Sequence, residues 1–332
     1  MSRLKPLPHQ RRHKHDRPPR RSKGARPFDA GQGAKGGTEL DPRAQLSLSG
    51  LRAKKSWGQN FLTDQSILAD IAAACELSPA QPVVELGAGL GGLTTELLKF
   101  GGPVVAVERD RDLVPPLREA LQQHAGLEIL EADAAGLDYA ALSVRLGHEL
   151  VVAGNLPYQL SSRILVSVAD AAPHVRRAVL MVQREVAERV AAGPGSRTYG
   201  LLSVLVQRAF GPTVLQIVPP GAFFPRPKVH SAVVLCLRNE TLPSPESDRL
   251  LVIAARAAFS ARRKTLKNAV AGAFAVDPAP VVAALGAAGI DPQARAETLA
   301  VPQFIRLGEA LRDQGLVAAA DGVGAPPCGP HA

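Results

Sequence analysis

The chain has 332 residues, enough for two domains, and 46% of them are hydrophobic, which allows a sizeable core and excludes wholesale disorder. No apolar run reaches the roughly 18 residues of a membrane span, and Cys75, Cys236 and Cys328 are too few and too scattered for a disulfide framework or a Cys-x-x-Cys metal site. The net charge of +9 is unevenly placed: residues 1–54 hold 14 Lys/Arg against 4 Asp/Glu, whereas the other 278 residues hold 25 against 26.

Residues 1–50 contain RRHKHDRPPRRSKGARP and a Gly-rich GQGAKGG, with few apolar residues to bury. Such a segment cannot offset its ordering entropy, so a basic disordered tail is expected. Its charge suits either solubility or an electrostatic arm for nucleic acid, and the two readings stand level. It lacks the apolar stretch of a secretory signal, and its prolines and missing amphipathicity disfavour a transit peptide. Together with the scattered cysteines this points to the reducing cytoplasm.

From Trp57 to about Ser203, helical patterns alternate with short β-branched runs: VVEL at 83–86, VVAVE at 104–108, LEIL at 127–130, LVVAG at 150–154 and AVLMV at 178–182. That alternation predicts an α/β fold, a parallel sheet with helices on both faces. Pro-rich text at 219–227 leads into one more strand, VHSAVVLCL. After about Pro245 the sequence turns Ala-rich and helical. The expected organisation is a tail at 1–50, an α/β domain at 51–245, a smaller helical domain at 246–318 and a flexible C-terminus at 319–332.

Chemistry is concentrated at the ends of these strands. Glu85-Leu86-Gly87-Ala88-Gly89-Leu90-Gly91-Gly92 follows a strand and precedes a helix, and glycine there permits a tight turn and close approach of a ligand. The spacing Gly87, Gly89, Gly92 satisfies G-x-G-x-x-G, a weak signal by itself. Glu108 ends the next strand, where a carboxylate accepts from ribose hydroxyls; Asp133 and Asn155 end the two after it. One such residue alone reads as a solvated loop position. Four at successive carboxyl ends read as a nucleoside-shaped site.

Asn155-Leu156-Pro157-Tyr158 carries the reaction signature. The exocyclic amine of adenine is a poor nucleophile, because its lone pair is delocalised into the ring. Two acceptors, the Asn155 side-chain oxygen and the Leu156 carbonyl, hold both N–H bonds and turn the lone pair outward. Pro157 stiffens that carbonyl, and Tyr158 offers a ring on which a flipped base stacks. The bland alternative is a strand-ending turn with a packed tyrosine.

With these motifs in place, residues 52–316 closely resemble the rRNA adenine N6,N6-dimethyltransferases, specifically the bacterial small-subunit type. The likeness begins at Lys54-Lys55-Ser56-Trp57-Gly58-Gln59-Asn60-Phe61-Leu62. It runs through the Gly-rich turn, Asn155–Tyr158 and Phe223-Phe224-Pro225-Arg226-Pro227-Lys228-Val229-His230-Ser231, and ends in Phe259-Ser260-Ala261-Arg262-Arg263-Lys264-Thr265 and Arg295-Ala296-Glu297. The resemblance implies a Rossmann-like class I S-adenosylmethionine-dependent methyltransferase domain with a smaller C-terminal helical domain. It implies cofactor contacts at Asn60, Leu62, Gly87, Glu108, Asp133 and Asn155, and catalysis by Asn155, Leu156, Pro157 and Tyr158, with Phe223 facing Tyr158 across the target base. It implies no metal. The implied partner is 16S rRNA in a pre-30S particle, met by a cytoplasmic monomer with no membrane association. The chain departs from the family pattern at Arg226, where many relatives have Pro, at Gln159, where Asn is common, and in its tail.

Arg256, Arg263 and Lys267 recur at intervals of 7 and 4, which predicts one helix face, and with Arg262 and Lys264 they form the densest basic cluster outside the tail. A solvated face is the ordinary reading of such a cluster; rRNA backbone binding is favoured because the rest of the folded part has no positive excess. Three rival functions follow from the same residues. A nicotinamide dehydrogenase explains the glycines and leaves Asn155–Tyr158 unexplained. A large-subunit dimethylase conferring macrolide resistance shares the catalytic motifs, but the arginine-rich segment and the Gln59 motif favour the small-subunit type. A chiefly non-catalytic ribosome assembly factor uses the same surface.

Overall fold

A computed structural model describes residues 41–54 and 57–318. Most of the expected basic tail, the expected flexible C-terminus with Cys328, and Lys55 and Ser56 lie outside the described residues.

The framework is a seven-stranded sheet built from β2 (Val83–Leu86), β3 (Val104–Glu108), β4 (Leu127–Glu131), β5 (Leu150–Asn155), β6 (Val175–Gln183), β7 (Phe210–Val218) and β9 (Ser231–Arg238), ordered β4-β3-β2-β5-β6-β9-β7. A separate two-stranded ribbon pairs β1 (Phe61–Leu62) antiparallel with β8 (Phe223–Phe224). The order reverses between β2 and β5, which makes their carboxyl ends the topological switch point of a Rossmann-like sheet.

Alternate residues of these strands enter opposite cores. Val84, Leu86, Val105, Val107 and Val152 pack with α5 (Tyr139–Leu146) and α6 (Ser161–Asp170). Val83, Val104, Val151 and Ala153 pack with α2 (Gln65–Ala74) and α3 (Gly92–Leu98). Burial on both faces explains why the runs are continuously apolar rather than alternating. Helix α4 (Val114–Leu121) closes a third cluster with Leu117 and Leu121 against Ala88 and Ala106.

The sheet is mixed rather than wholly parallel: β6–β9 and β9–β7 are antiparallel. Strand β7 was not among the expected runs. It lies at the sheet edge, where Pro212 is tolerated and one face meets solvent, so its text alternates instead of forming an apolar block. Between β6 and β7 run the short helices α7 (Arg184–Val190) and α8 (Leu201–Gln207).

Four further helices, α9 (Pro245–Phe259), α10 (Leu266–Phe274), α11 (Pro278–Ala287) and α12 (Val301–Asp313), build a core of their own from Leu250, Leu251, Val270, Leu285, Phe304 and Leu311. Tyr199 also enters that core, its hydroxyl donating to the Leu299 carbonyl at 3.0 Å. Helices α9 and α12 approach so closely that a Cβ on Gly308 would stand 2.5 Å from the Leu250 carbonyl oxygen, so any larger residue forces them apart.

The basic cluster does not share one helix face. Helix α9 stops at Phe259, Arg262–Lys264 occupy an exposed turn, and α10 begins only at Leu266. The cause is local: Arg262, Arg263, Lys264 and Thr265 interrupt the apolar periodicity, so nothing at these positions holds a further helical turn onto the core. Arg256 is exposed on α9, and Lys267 is half-buried on α10. A short helix α1 (Pro42–Leu48) precedes all of these elements.

Candidate functional site

A cavity of about 370 Å³ opens along the carboxyl ends of β2, β3, β4 and β5, within the usual size of a ligand pocket. Asn60, Leu62, Gly87, Glu108, Asp133, Asn155, Leu156, Pro157 and Tyr158 all line it, together with Trp57, Gln59 and Glu85. Residues spread over about a hundred positions thus meet in one place, because parallel strands end on the same edge.

The turn after β2 holds Gly87, Gly89 and Gly91 in left-handed backbone, with φ of +77°, +58° and +84°. A Cβ on Gly89 would lie 3.1 Å from the Phe61 ring, so substitution is both strained and crowded. Gly92, the third glycine of the dinucleotide spacing, instead starts α3.

Glu108 is fastened to this turn. One carboxylate oxygen accepts from the Gly89 amide and the other from the Asp110 amide, each at 2.7 Å. Burial pushes its carboxyl up, while those amide bonds pull the other way. Each oxygen keeps a second lone-pair direction for an incoming hydroxyl.

Asp110, just past the end of β3, ties Lys54 and the cavity-lining Gln59 to that strand end. Its carboxylate, 2% exposed as a residue, accepts from Lys54 Nζ at 2.5 Å and from Gln59 Nε2 at 2.7 Å. The Lys54 amide donates back to Gln59 Oε1 at 2.8 Å. Burial opposes ionisation of Asp110, but the hydrogen bonds from Lys54, Gln59 and the Asp112 amide prevail and hold its carboxyl below the usual range. Lys54 also lies 4.8 Å over the Trp57 ring, and Arg109 lies 5.2 Å over it. Sequence reasoning gave Lys54, Gln59 and Asp110 no individual role. The nearest signal was the Glu-x-Asp spacing of 108 and 110, two acids on one buried strand end.

Glu85 is buried beneath the turn, 1% exposed, with Thr94 donating to it at 2.5 Å. Desolvation raises its carboxyl to about 7, and the Thr94 hydroxyl works against that rise.

At the end of β5, Asn155 Nδ2 donates to the Asn60 carbonyl at 2.9 Å, which leaves Oδ1 as an acceptor. The Leu156 amide donates to the Met181 carbonyl at 3.0 Å, and among the described residues no donor engages the Leu156 carbonyl. Tyr158 is tied by its hydroxyl to Ser231 Oγ at 2.7 Å, and its carbonyl accepts from Ser161 Oγ at 3.0 Å. Asp133 caps the turn after β4 by accepting from the Ala135 amide at 3.0 Å, and its other oxygen lies 3.8 Å from Arg109.

Phe223 stands apart from this group. It is 2% exposed in the core with Leu62, Ile71 and Met181 and does not line the cavity; among the described residues it makes no ring pair with Tyr158. Register explains it: Leu62 pairs with Phe223 and Phe61 with Phe224, and the Phe224 ring packs with Phe61, Leu90 and Leu113.

Arg256, Arg262, Arg263, Lys264 and Lys267 form no ion pair among the described residues, so their charge is uncompensated. Arg262 donates to the Arg197 carbonyl at 3.3 Å, which braces the turn.

The family described as ribosomal RNA adenine dimethylase matches residues 50–313. A ribosomal RNA small subunit methyltransferase A of Anaeromyxobacter dehalogenans (strain 2CP-C) is 51% identical over 281 residues, covering 81% of this chain and 97% of the relative. The protein of that name from Myxococcus xanthus is 44% identical, with 81% and 95% covered. Among solved structures, a dimethyladenosine transferase from Plasmodium falciparum shares the fold with a TM-score of 0.64 at 24% identity, covering 77% of this chain and 98% of that one. The 23S rRNA methyltransferase ErmE superposes with a TM-score of 0.57 at 27% identity, covering 76% and 99%.

Proposed function

The chain belongs to the ribosomal RNA adenine dimethylase family, and from that premise we propose that it methylates N6 of two adjacent adenines near the 3′ end of 16S rRNA, giving dimethyladenosines during small-subunit biogenesis. It is an rRNA adenine N6,N6-dimethyltransferase. The methyl donor we assign is S-adenosylmethionine, which supplies an electrophilic methyl group on sulfur when bound. The residues present suit it: a buried carboxylate at Glu108 for ribose hydroxyls, a left-handed glycine turn at Gly87 for close backbone approach, and Asp133 for the adenine amine. Asn60, Leu62 and Asn155 complete that set.

The observation that carries the reading is the state of Asn155. Its amide nitrogen is spent on the Asn60 carbonyl, so among the described residues its oxygen, like the carbonyl of the neighbouring Leu156, meets no donor. Two acceptors so held take both N–H bonds of an adenine amine and direct its lone pair outward. Pro157 stiffens the second acceptor, and Tyr158, braced by Ser231, offers its ring to the base. Phe223 supports this wall from the core, through the ribbon that carries Phe61 and Leu62. Positioning and exclusion of water supply most of the acceleration, and no strong general base is required. The uncompensated cations at Arg256, Arg262, Arg263, Lys264 and Lys267 hold the rRNA backbone. The substrate we assign is the 16S rRNA of a pre-30S particle, met in the cytoplasm by a monomer. Among the described residues no helix is long and apolar enough to cross a membrane.

The test is complementation of a deletion strain. Mapping of modified adenines in its 16S rRNA should show dimethylation restored by the wild-type chain and absent with Asn155→Ala, while the variant still binds pre-30S particles, because phosphate contacts dominate affinity. Normal dimethylation by Asn155→Ala would show that Asn155 is only a turn residue.

A further inference from the structure

Helix α1 lies wholly before residue 50, where the family match begins, yet it walls the same cavity through Pro42 and Gln45. The sequence specifies its start: Asp41 accepts from the Arg43 amide at 2.9 Å, and Pro42 stands in the first turn. Seven residues do not hold a helix in water without tertiary contacts. Here Leu46, 4% exposed, is buried with Leu90 and Leu113, and Arg43 lies 5.1 Å over the Phe224 ring. Two of these anchors, Leu90 of the glycine turn and Leu113, themselves line the cavity.

One polar atom on this helix has no partner. Gln45 Oε1 is shut off from solvent, and no donor meets it among the described residues. Buried acceptors are nearly always satisfied, and a glutamine on a surface helix escapes the penalty by turning to water. Gln45 instead stays on the cavity wall, where a ligand's donor is the missing partner.

We propose that α1 is a cofactor-binding element outside the family-matched segment, and that Gln45 Oε1 accepts a hydrogen bond from an O–H or N–H donor of S-adenosylmethionine. The inference rests on the cofactor assignment above. The donors on offer are the ribose hydroxyls, the adenine amine and the ammonium of the amino-acid part. Satisfying Gln45 couples occupancy to the docking of α1, so the helix packs on the cavity wall most firmly when the cofactor is inside.

Calorimetry on the full chain tests this with S-adenosylmethionine, S-adenosylhomocysteine and methylthioadenosine, which keeps the nucleoside and lacks the amino-acid part. Gln45→Leu, similar in size but without the acceptor, should weaken S-adenosylmethionine binding roughly tenfold. Gln45→Glu, which keeps an acceptor oxygen, should retain most of the affinity. The ligand-free Gln45→Leu protein should melt higher than the wild type, because its orphan oxygen is gone. A packing defect would instead lower both melting temperature and affinity, and would overturn the proposal. Weakening shared by methylthioadenosine supports a donor on the nucleoside; weakening confined to the other two ligands supports the ammonium. Unchanged affinity in Gln45→Leu while Glu108→Ala loses binding overturns the role of Gln45 alone. Absence of binding by the wild type overturns the cofactor assignment as well.

Discussion

Among the carboxylates of the described residues, Glu85 is the one whose burial opposes its charge most sharply. Its carboxyl rises from 4.5 to about 7 in the folded chain, chiefly through desolvation. The folded state therefore keeps a proton that the unfolded state releases between those values. The penalty is absent below pH 4.5, grows as pH rises toward 7, and is constant above. Glu85→Gln keeps the shape and removes the titration. Its stability relative to the wild type should increase across that window by up to about 3 kcal/mol. Urea unfolding of both proteins at about pH 5 and about pH 8 checks it. A difference independent of pH would show that Glu85 keeps an ordinary carboxyl. Asp110, equally shut off from solvent but less deeply set, shows the opposite outcome, because Lys54 and Gln59 compensate it. Those partners lie more than fifty positions away in the chain, which is why its role was not visible in the sequence: an ion pair across such a separation leaves no local pattern.

At the scale of elements, strands buried on both faces were the easiest to read, and β2 and β3 match their β-branched runs residue for residue. Strand β7 was not read, since an edge strand with one wet face and a proline carries little apolar signal. The site followed the strands: Glu108, Asp133 and Asn155, at or just after the ends of β3, β4 and β5, all reach the cavity. Phe223 did not, because its placement depends on register within a two-residue ribbon rather than on a strand end. The basic cluster was recognised by charge, but its geometry was misread, since helical spacing was carried across a turn. That turn now yields its own expectation. Arg262, Arg263 and Lys264 project from a loop braced on Arg197, not from a helix, so replacing all three with Ala should leave helix content unchanged. It should weaken pre-30S binding and reduce the slope of log K against log salt by about 2 if each cation meets one phosphate. Filter binding across a salt series measures this. An unchanged slope would remove these residues from the RNA interface.

Along the sequence, most of the positive excess lies ahead of the residues that line the cavity. Residues 1–54 carry a strong excess of Lys/Arg, while the remainder is nearly balanced. Deleting residues 1–40 spares every residue assigned to the cavity, including α1. It should leave the single-turnover methylation rate at saturating pre-30S unchanged and flatten the salt dependence of binding. Quench-flow and salt-series measurements separate the two. A lost rate at saturation would bring the tail into the active site, and an unchanged slope would make it a solubilising segment. The mouth of the cavity carries a reporter for such experiments. Trp57 is the only tryptophan in the chain, lines the cavity, is 40% exposed, and has both Lys54 and Arg109 over its ring. Two cations against one indole make its emission sensitive to any movement of either. The unlabelled protein therefore carries a single-site optical probe at the door of its own cavity, and its fluorescence can follow, in real time, ligand arrival that end-point chemistry sees only after the fact.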